Sequence, residues 1–324
     1  MVQRNIGRIN RVGITRSGEF FYVRRQDVEE IHTAEMDLEA RNIKAPSAAA
    51  HAQIGLKSQW SPDGKFMAFI RHRAGNADDY DVVIHSLETA EERVFGRPGI
   101  QPGPPLWFHD GRGLFVLVRH ENGARAPYRI DRDTGKFTQI LPESPLYPPY
   151  TSLIAIAPDD KAVFMPTNRL QRIVKFELGT GKAVQTTDLP GGATIFALAL
   201  SPDNRTLAMW SPQHVARIGL DGSGYRELYV TPAENRYSTR VGTGGVAWTS
   251  DSRTILYQSR HNDSWQIMRI SSESGQPEFT GLEVDGLIIG GGIDVSPDGR
   301  HFAYSSTKRL VELWSIGLSS LRKK

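Results

Sequence analysis

Arginine, lysine and histidine recur in this sequence where short polar segments separate apolar runs. The sets are Arg24 and Arg25, then Arg71, His72 and Arg73, then Arg119 and His120, then Arg169 and Arg172, then Arg260 and His261, then Lys308 and Arg309. Guanidinium groups gathered on one rim could clamp a carboxylate or phosphate through paired N–H donors, and would draw an acidic peptide, an anionic sugar or a phosphate-bearing ligand. The competing reading is a set of solvated turns, in which basic residues are common whatever the function.

Other combinations carry less chemistry. Gly179-Thr180-Gly181-Lys182 has the outline of a phosphate loop, but Ala183 stands where Ser or Thr is needed and Phe176 replaces the first glycine. Gly222-Ser223-Gly224 is a turn and not a nucleophile elbow, which requires Gly-x-Ser-x-Gly. The 9 histidines include no His-x-His or His-x-x-x-His pair, and with 0 cysteines there is neither a thiolate metal site nor a disulfide framework. The sequence therefore predicts no catalytic residue, no metal and no cofactor. Ligands drawn from separate segments of a ring remain the one route to a metal or lyase centre.

The elements that would position the basic residues are legible in a repeat. Ser61-Pro62-Asp63-Gly64 returns as Ser296-Pro297-Asp298-Gly299, and weaker copies end at Gly18, Gly111, Asp160, Asn204 and Ser252. The steps between the fourth positions of the seven copies are 46, 47, 49, 44, 48 and 47 residues. Proline pre-sets φ, aspartate bonds its own backbone and glycine takes the left-handed position, so each copy is a hairpin turn. Three residues past each turn stand Phe21, Met67, Leu114, Val163, Leu207, Ile255 and Phe302, and the next two columns are apolar as well. Since successive strand residues point to opposite faces, a run of apolar columns means a strand buried on both sides.

Four short antiparallel strands per repeat, each sheet sandwiched between neighbours, give an all-β propeller, and closing the ring removes the exposed sheet edges. Seven copies predict a seven-bladed β-propeller of four-stranded antiparallel blades; six blades is the alternative. The repeat resembles that of TolB-like β-propellers, and the chain is similar to C-terminal propeller segments of bacterial regulatory proteins. The resemblance runs from about residue 8 to residue 316. It implies a protein-binding or sensing module, since such propellers serve as binding modules, as partner domains of peptidases and, rarely, as lyases; its best-known members have six blades.

The whole chain, 1–324, reads as one propeller domain with the N-terminal segment, residues 2–8, as the outer strand of the last blade, paired with residues 311–316. The basic sets fall in the turns between second and third strands, on the face of the interblade loops. The expected binding residues are Arg25, Arg71, His72, Arg119, His120, Arg169, Arg260, His261, Lys308 and Arg309, with Tyr147 and Tyr150 from the proline-rich loop 141–150. Trp60, Trp107 and Trp248 share one column with Ile14, Ile156, Leu200 and Val295 and read as packing residues, leaving Trp210 and Trp265 for exposure.

A net charge of +3 is too small to imply nucleic acid, and the absence of an 18-residue apolar run or a signal peptide leaves no sign of membrane insertion or export. Cytoplasm and periplasm both fit. The functional expectation is a non-catalytic module, monomeric or part of a larger chain, that binds a protein segment, with an acidic one among the candidates, or a small ligand on the interblade-loop face. The alternative is a polysaccharide lyase or hydrolase working in the central channel.

Overall fold

The computed structural model of the chain describes residues 8–45, 53–54, 56–73, 76–96, 100–145, 147–148, 151–167, 170–233, 236, 245–261, 264–284 and 292–317. All seven repeat turns share a geometry: the N–H of the fourth residue donates to the carbonyl of the first, and the fourth residue has a positive φ, from +57° at Asp160 to +85° at Gly18. In six turns the first residue's N–H reaches the carbonyl five residues on, as from Ser61 to Phe66 at 2.8 Å and from Ser296 to His301 at 2.9 Å. The same six carry aspartate at the third position. Its carboxylate accepts the N–H two residues on, as Asp63 does from Lys65 at 3.1 Å and Asp298 from Arg300 at 3.0 Å. The turn Thr15–Gly18 differs: it has Ser17 in that place and closes one residue earlier, Thr15 N–H to Glu19 O at 2.9 Å.

These turns link the first two strands of antiparallel sheets. The first sheet is Leu56–Trp60, Phe66–Arg73, Asn76–Ser86 and Glu92–Phe95; the second is Leu106–Trp107 with Ile100–Pro102, then Gly113–His120, Arg125–Asp131 and Phe137–Gln139. The third is Ala155–Ile156, Ala162–Thr167, Arg172–Glu177 and Ala183–Asp188, and the fourth Ala197–Leu200, Thr206–Trp210, His214–Gly219 and Arg226–Val230. Val246–Trp248, Thr254–His261, Ser264–Ser271 and Glu278–Val284 make the fifth. The sixth joins Ile293–Val295 and His301–Gly317 to Glu19–Glu35, beside which lie Arg8–Ile14 and Gln53–Ile54.

The described residues thus form six sheets, not the seven that seven copies led one to expect, because the first and seventh copies share a sheet. The physical reason lies in two segments. Residues 23–35 and 305–316 contain no glycine, proline or asparagine to break them, and each belongs to an unbroken strand of 17 residues. The expected outer pairing of residues 2–8 falls outside the described residues except for Arg8. The strand next to His301–Gly317 in place of a separate third strand at 311–316 is Glu19–Glu35; Met36 N–H donates to Arg300 O at 2.8 Å and His32 Nε2 lies 2.9 Å from Ser306 Oγ.

The chain divides into two compact units, Glu30–Ser306 and the pair of segments Met1–Glu29 and Thr307–Lys324. In the second of these, Arg8–Ile14 and the start of Glu19–Glu35 form a hairpin with register Arg8 to Arg25 and Ile14 to Phe20. In Glu30–Ser306, six apolar cores lie one between each pair of consecutive sheets. Met67 and Phe69 pack with Ile31 and Ala303 of the sixth sheet, while Ala68 and Ile70 pack with Leu114 and Val116 of the second. Leu256 likewise faces Phe302, and Ile255 and Tyr257 face Ala208 and Trp210. A core between the sixth and first sheets closes the ring, so the unit is a β-propeller of antiparallel sheets.

The turns set a stability test. Gly64 and Gly299 both have positive φ, but a methyl at Gly64 meets only Pro297 at van der Waals distance, whereas one at Gly299 overlaps Ser250 Oγ. Gly64→Ala should cost about 1 kcal/mol for the left-handed backbone, and Gly299→Ala about 1–2 kcal/mol more. Thermal unfolding should show the second variant melting several degrees below the first; equal melting points would contradict the stated clash.

Candidate functional site

The expected basic rim is a set of matched pairs more than a crown of free cations. In the first sheet Arg71 Nη1 donates to Glu92 Oε2 at 2.8 Å, and Arg73 donates from Nε and Nη2 to Asp81 Oδ1 at 2.9 and 2.8 Å. The His72 ring lies 4.3 Å from that of Tyr80. In the second sheet His120 Nε2 is 3.5 Å from Glu143 Oε1, and in the third Arg172 forks onto both oxygens of Asp188. For Arg73 with Asp81 and Arg172 with Asp188 the cause is the antiparallel ladder, which sets residues of adjacent strands side by side, whereas Arg71 reaches past the intervening strand to Glu92 and Glu143 lies beyond the last strand of its sheet.

Arg119, Arg260 and His261 are exposed. Arg119 stands opposite Arg125 across the hairpin, a juxtaposition of like charge that a bound anion would relieve. The guanidinium of Arg260 sits 5.7 Å from the centre of the Trp265 ring, a cation–π contact that fixes its direction. Arg25, Lys308 and Arg309 lie within the two long strands and not in turns, and their side chains are outside the described residues, as are Arg169 and Tyr150 altogether.

Two aromatic expectations are corrected. Tyr147 is 9% exposed, with its ring edge-on to Phe176 at 6.3 Å, and burial pushes its phenol above the ordinary value; Trp210 is 2% exposed between the fourth and fifth sheets. The packing assigned to Trp107 and Trp248 is what the structure shows, and their function within it is polar as well as apolar. Trp107 Nε1 donates to Gln59 O at 3.2 Å and Trp248 Nε1 to Ala199 O at 3.1 Å, each indole tying its sheet to the preceding one.

Sequence reasoning expected a central channel but did not identify the residues that line it. A space of about 330 Å³ is lined by the first strand of every sheet, from Gln59 and Trp107 round to Trp248 and Asp294. Asp294 keeps some accessible surface towards this space while lying deep in the ring. That desolvation pushes its carboxyl up to about 7, against the pull of the Trp60 N–H, which donates to Oδ2 at 2.7 Å, and the Val295 N–H. The only sequence signal was its column, where the other six copies carry Gly13, Gln59, Leu106, Ala155, Ala199 and Ala247. A charge in an otherwise uncharged column was there to be read.

No family model matches the sequence, and no curated protein matches it in sequence. Solved structures do match. A protein described as TolB from Agrobacterium tumefaciens superposes with a TM-score of 0.61 at 17% identity, over 87% of this chain and 99% of that one. TolB from Acinetobacter baumannii gives 0.52 at 15% identity, over 87% of this chain and 65% of that one. A chain of the mitotic checkpoint complex gives 0.51 at 13% identity, over 91% and 87%. At these identities the likeness is one of fold, and the fold is a TolB-like β-propeller.

Asp294 generates a pH prediction. Its folded pKa lies above the unfolded value of 3.8, so the unfolded chain loses its proton first as pH rises and stability falls from about pH 4 until the folded carboxyl ionises near 7. Asp294→Asn keeps an acceptor for the Trp60 N–H and removes the charge. Its melting point should match the parent's at pH 4 and exceed it by a few degrees at pH 8; because the carboxyl touches the cavity, the gain should be below what the full shift implies. A variant less stable at pH 8 would overturn the assignment.

Proposed function

We propose that this TolB-like β-propeller is a non-catalytic binding module that takes a protein segment or small ligand on the face carrying the loops between sheets. The observation that supports it is the exposed pair of Arg119 in the second sheet and Arg260 in the fifth, the one beside a like charge and the other braced on Trp265. A carboxylate-bearing partner suits both, since arginine offers paired donors in a fixed plane. Arg71 and Arg172 are already held by Glu92 and Asp188 and contribute framework to this face. The channel alternative, a lyase or hydrolase, would draw on Asp294, the one carboxylate among the described cavity-lining residues, and that group is committed to two backbone N–H donors.

Selection from a displayed peptide library tests the reading. Acidic sequences should be enriched, their affinity should fall with salt, and Arg119→Glu with Arg260→Glu should weaken binding about tenfold or more without altering the melting point. Enrichment of sequences without acidic residues, or indifference to both substitutions, would exclude this face as an anion-binding surface.

A further inference from the structure

Two arginines stand side by side in the second sheet with no counter-charge of their own. Arg119 is in register with Arg125 across the hairpin, Gln101 lies opposite Arg119 on its other side, and Ser144 bridges to Arg125, so positions 101, 119, 125 and 144 form one row across the sheet. Residues directly opposite in an antiparallel ladder share a face, with Cβ atoms about 4.5–5.5 Å apart. Arg119 is exposed, while Arg125 and Gln101 are half-buried. The next rung inward on that face, Leu117 and Pro127, is buried, and Leu117 packs with Leu141 and Tyr147. An apolar floor lowers the local dielectric, which strengthens the repulsion between the two cations and their attraction for an anion alike.

Elsewhere the protein supplies the counter-charge itself. Arg71 stands opposite Asp81, and Arg172 opposite Asp188. The nearest parallel is Arg217 opposite Arg226 in the fourth sheet. There Glu273, in the turn after the third strand of the fifth sheet, places Oε2 at 3.0 Å from Arg217 Nη2 and 3.7 Å from Arg226 Nη1. That carboxylate bonds one guanidinium and only offsets the charge of the other. At Arg119 and Arg125 even this is missing: among the described residues no carboxylate lies within ion-pair distance of either, and neither guanidinium nor the Gln101 amide has a hydrogen-bond partner. Glu143, the acid that follows in the chain, lies 3.5 Å from His120 Nε2 instead.

We propose that Gln101, Arg119 and Arg125 form a site for a phosphate monoester dianion. The proposal rests on the reading of this face as an anion-binding surface and names the anion. A carboxylate has two oxygens, and a single guanidinium fork satisfies both, which leaves the second arginine beside a like charge. A phosphate monoester has three terminal oxygens and carries about −1.5 to −2 charges at pH 7. It therefore accepts from both forks at once and neutralises both, and the Gln101 amide is a further donor on the same row.

Titration calorimetry of the full chain with phenyl phosphate, against benzoate as the matching carboxylate, tests the proposal. Phenyl phosphate should bind saturably at one site, about tenfold or more tightly than benzoate. Arg119→Gln and Arg125→Gln should each weaken it about tenfold, and Gln101→Ala roughly threefold. Because each arginine substitution removes a like-charge contact, the unliganded melting point should hold or rise, which loss of a purely structural group would not give. Arg260→Glu, in the fifth sheet, should leave phosphate binding intact. A peptide array with phosphoserine or glutamate fixed at the centre then separates the sources: preference for phosphoserine assigns the phosphate to a protein segment, and binding of phenyl phosphate without such preference assigns it to a small ester. Equal affinity for phenyl phosphate and benzoate, no saturable heat at about 20 mM phenyl phosphate, or indifference to Arg125→Gln would each overturn the site. Enrichment of unphosphorylated acidic peptides alongside any of these results would leave the wider reading of the face standing, whereas failure of both probes would remove both.

Discussion

Burial of the second strand on both faces is the constraint from which the rest of this structure follows. A strand such as Phe66–Arg73 turns Met67 and Phe69 one way and Ala68 and Ile70 the other, and all four are at most 4% exposed. Neither face can meet water, so every sheet needs a neighbour on each side, and a finite stack satisfies that only by closing. The small residues of the column, Ala68, Ala208 and Ala303, let adjacent sheets approach where Phe115 and Phe164 fill the wider gaps. Once the ring is set, the first strands converge on the axis and a cavity there is a geometric consequence. The turns are carried to one face and the links between sheets to the other.

How far the sequence reveals this depends on which forces act locally. Turn geometry is local, and all seven left-handed fourth positions stand where the pattern put them. The number of sheets is not local, and the copies were not equal: six have aspartate at the third position, and six turns span one residue more than Thr15–Gly18. The aspartate does physical work there. Hydrogen bonds from Ser296 Oγ and Arg300 N–H hold the Asp298 carboxyl below its usual range, which stiffens the turn at neutral pH. Ser17 in the first copy lacks a charge to do the same, and the segment after it continues as one 17-residue strand.

The candidate sites were legible in proportion to how little they depend on pairing. The basic residues of the turns were visible as a pattern, but what each one meets is decided by residues elsewhere in the same repeat, about 20 positions away. Arg71 meets Glu92, Arg172 meets Asp188 and His120 approaches Glu143. Exposed pairs of this kind add little stability, so their effect is mainly to reduce the charge that a ligand would meet. The cavity lining carried no pattern, because it is assembled from the first strands of all six sheets.

Closure is where distance along the chain matters most. Among the described residues the seam between the sixth and first sheets buries Ile31, Met67, Phe69, Val83 and Ala303, with Trp60 packed against them. Two polar bonds fasten it as well: Lys57 N–H donates to Ser305 Oγ at 2.7 Å, and Trp60 N–H to Asp294 Oδ2 at 2.7 Å. These contacts join residues 248 and 234 apart in sequence, so they pay a large loop-closure entropy and form after the sheets they join. Directional polar bonds gain little from partial contact, since a hydrogen bond misplaced by an ångström is lost while an apolar contact is only weakened. Placing the Trp60–Asp294 and Lys57–Ser305 bonds at this joint therefore favours one register of closure over its neighbours.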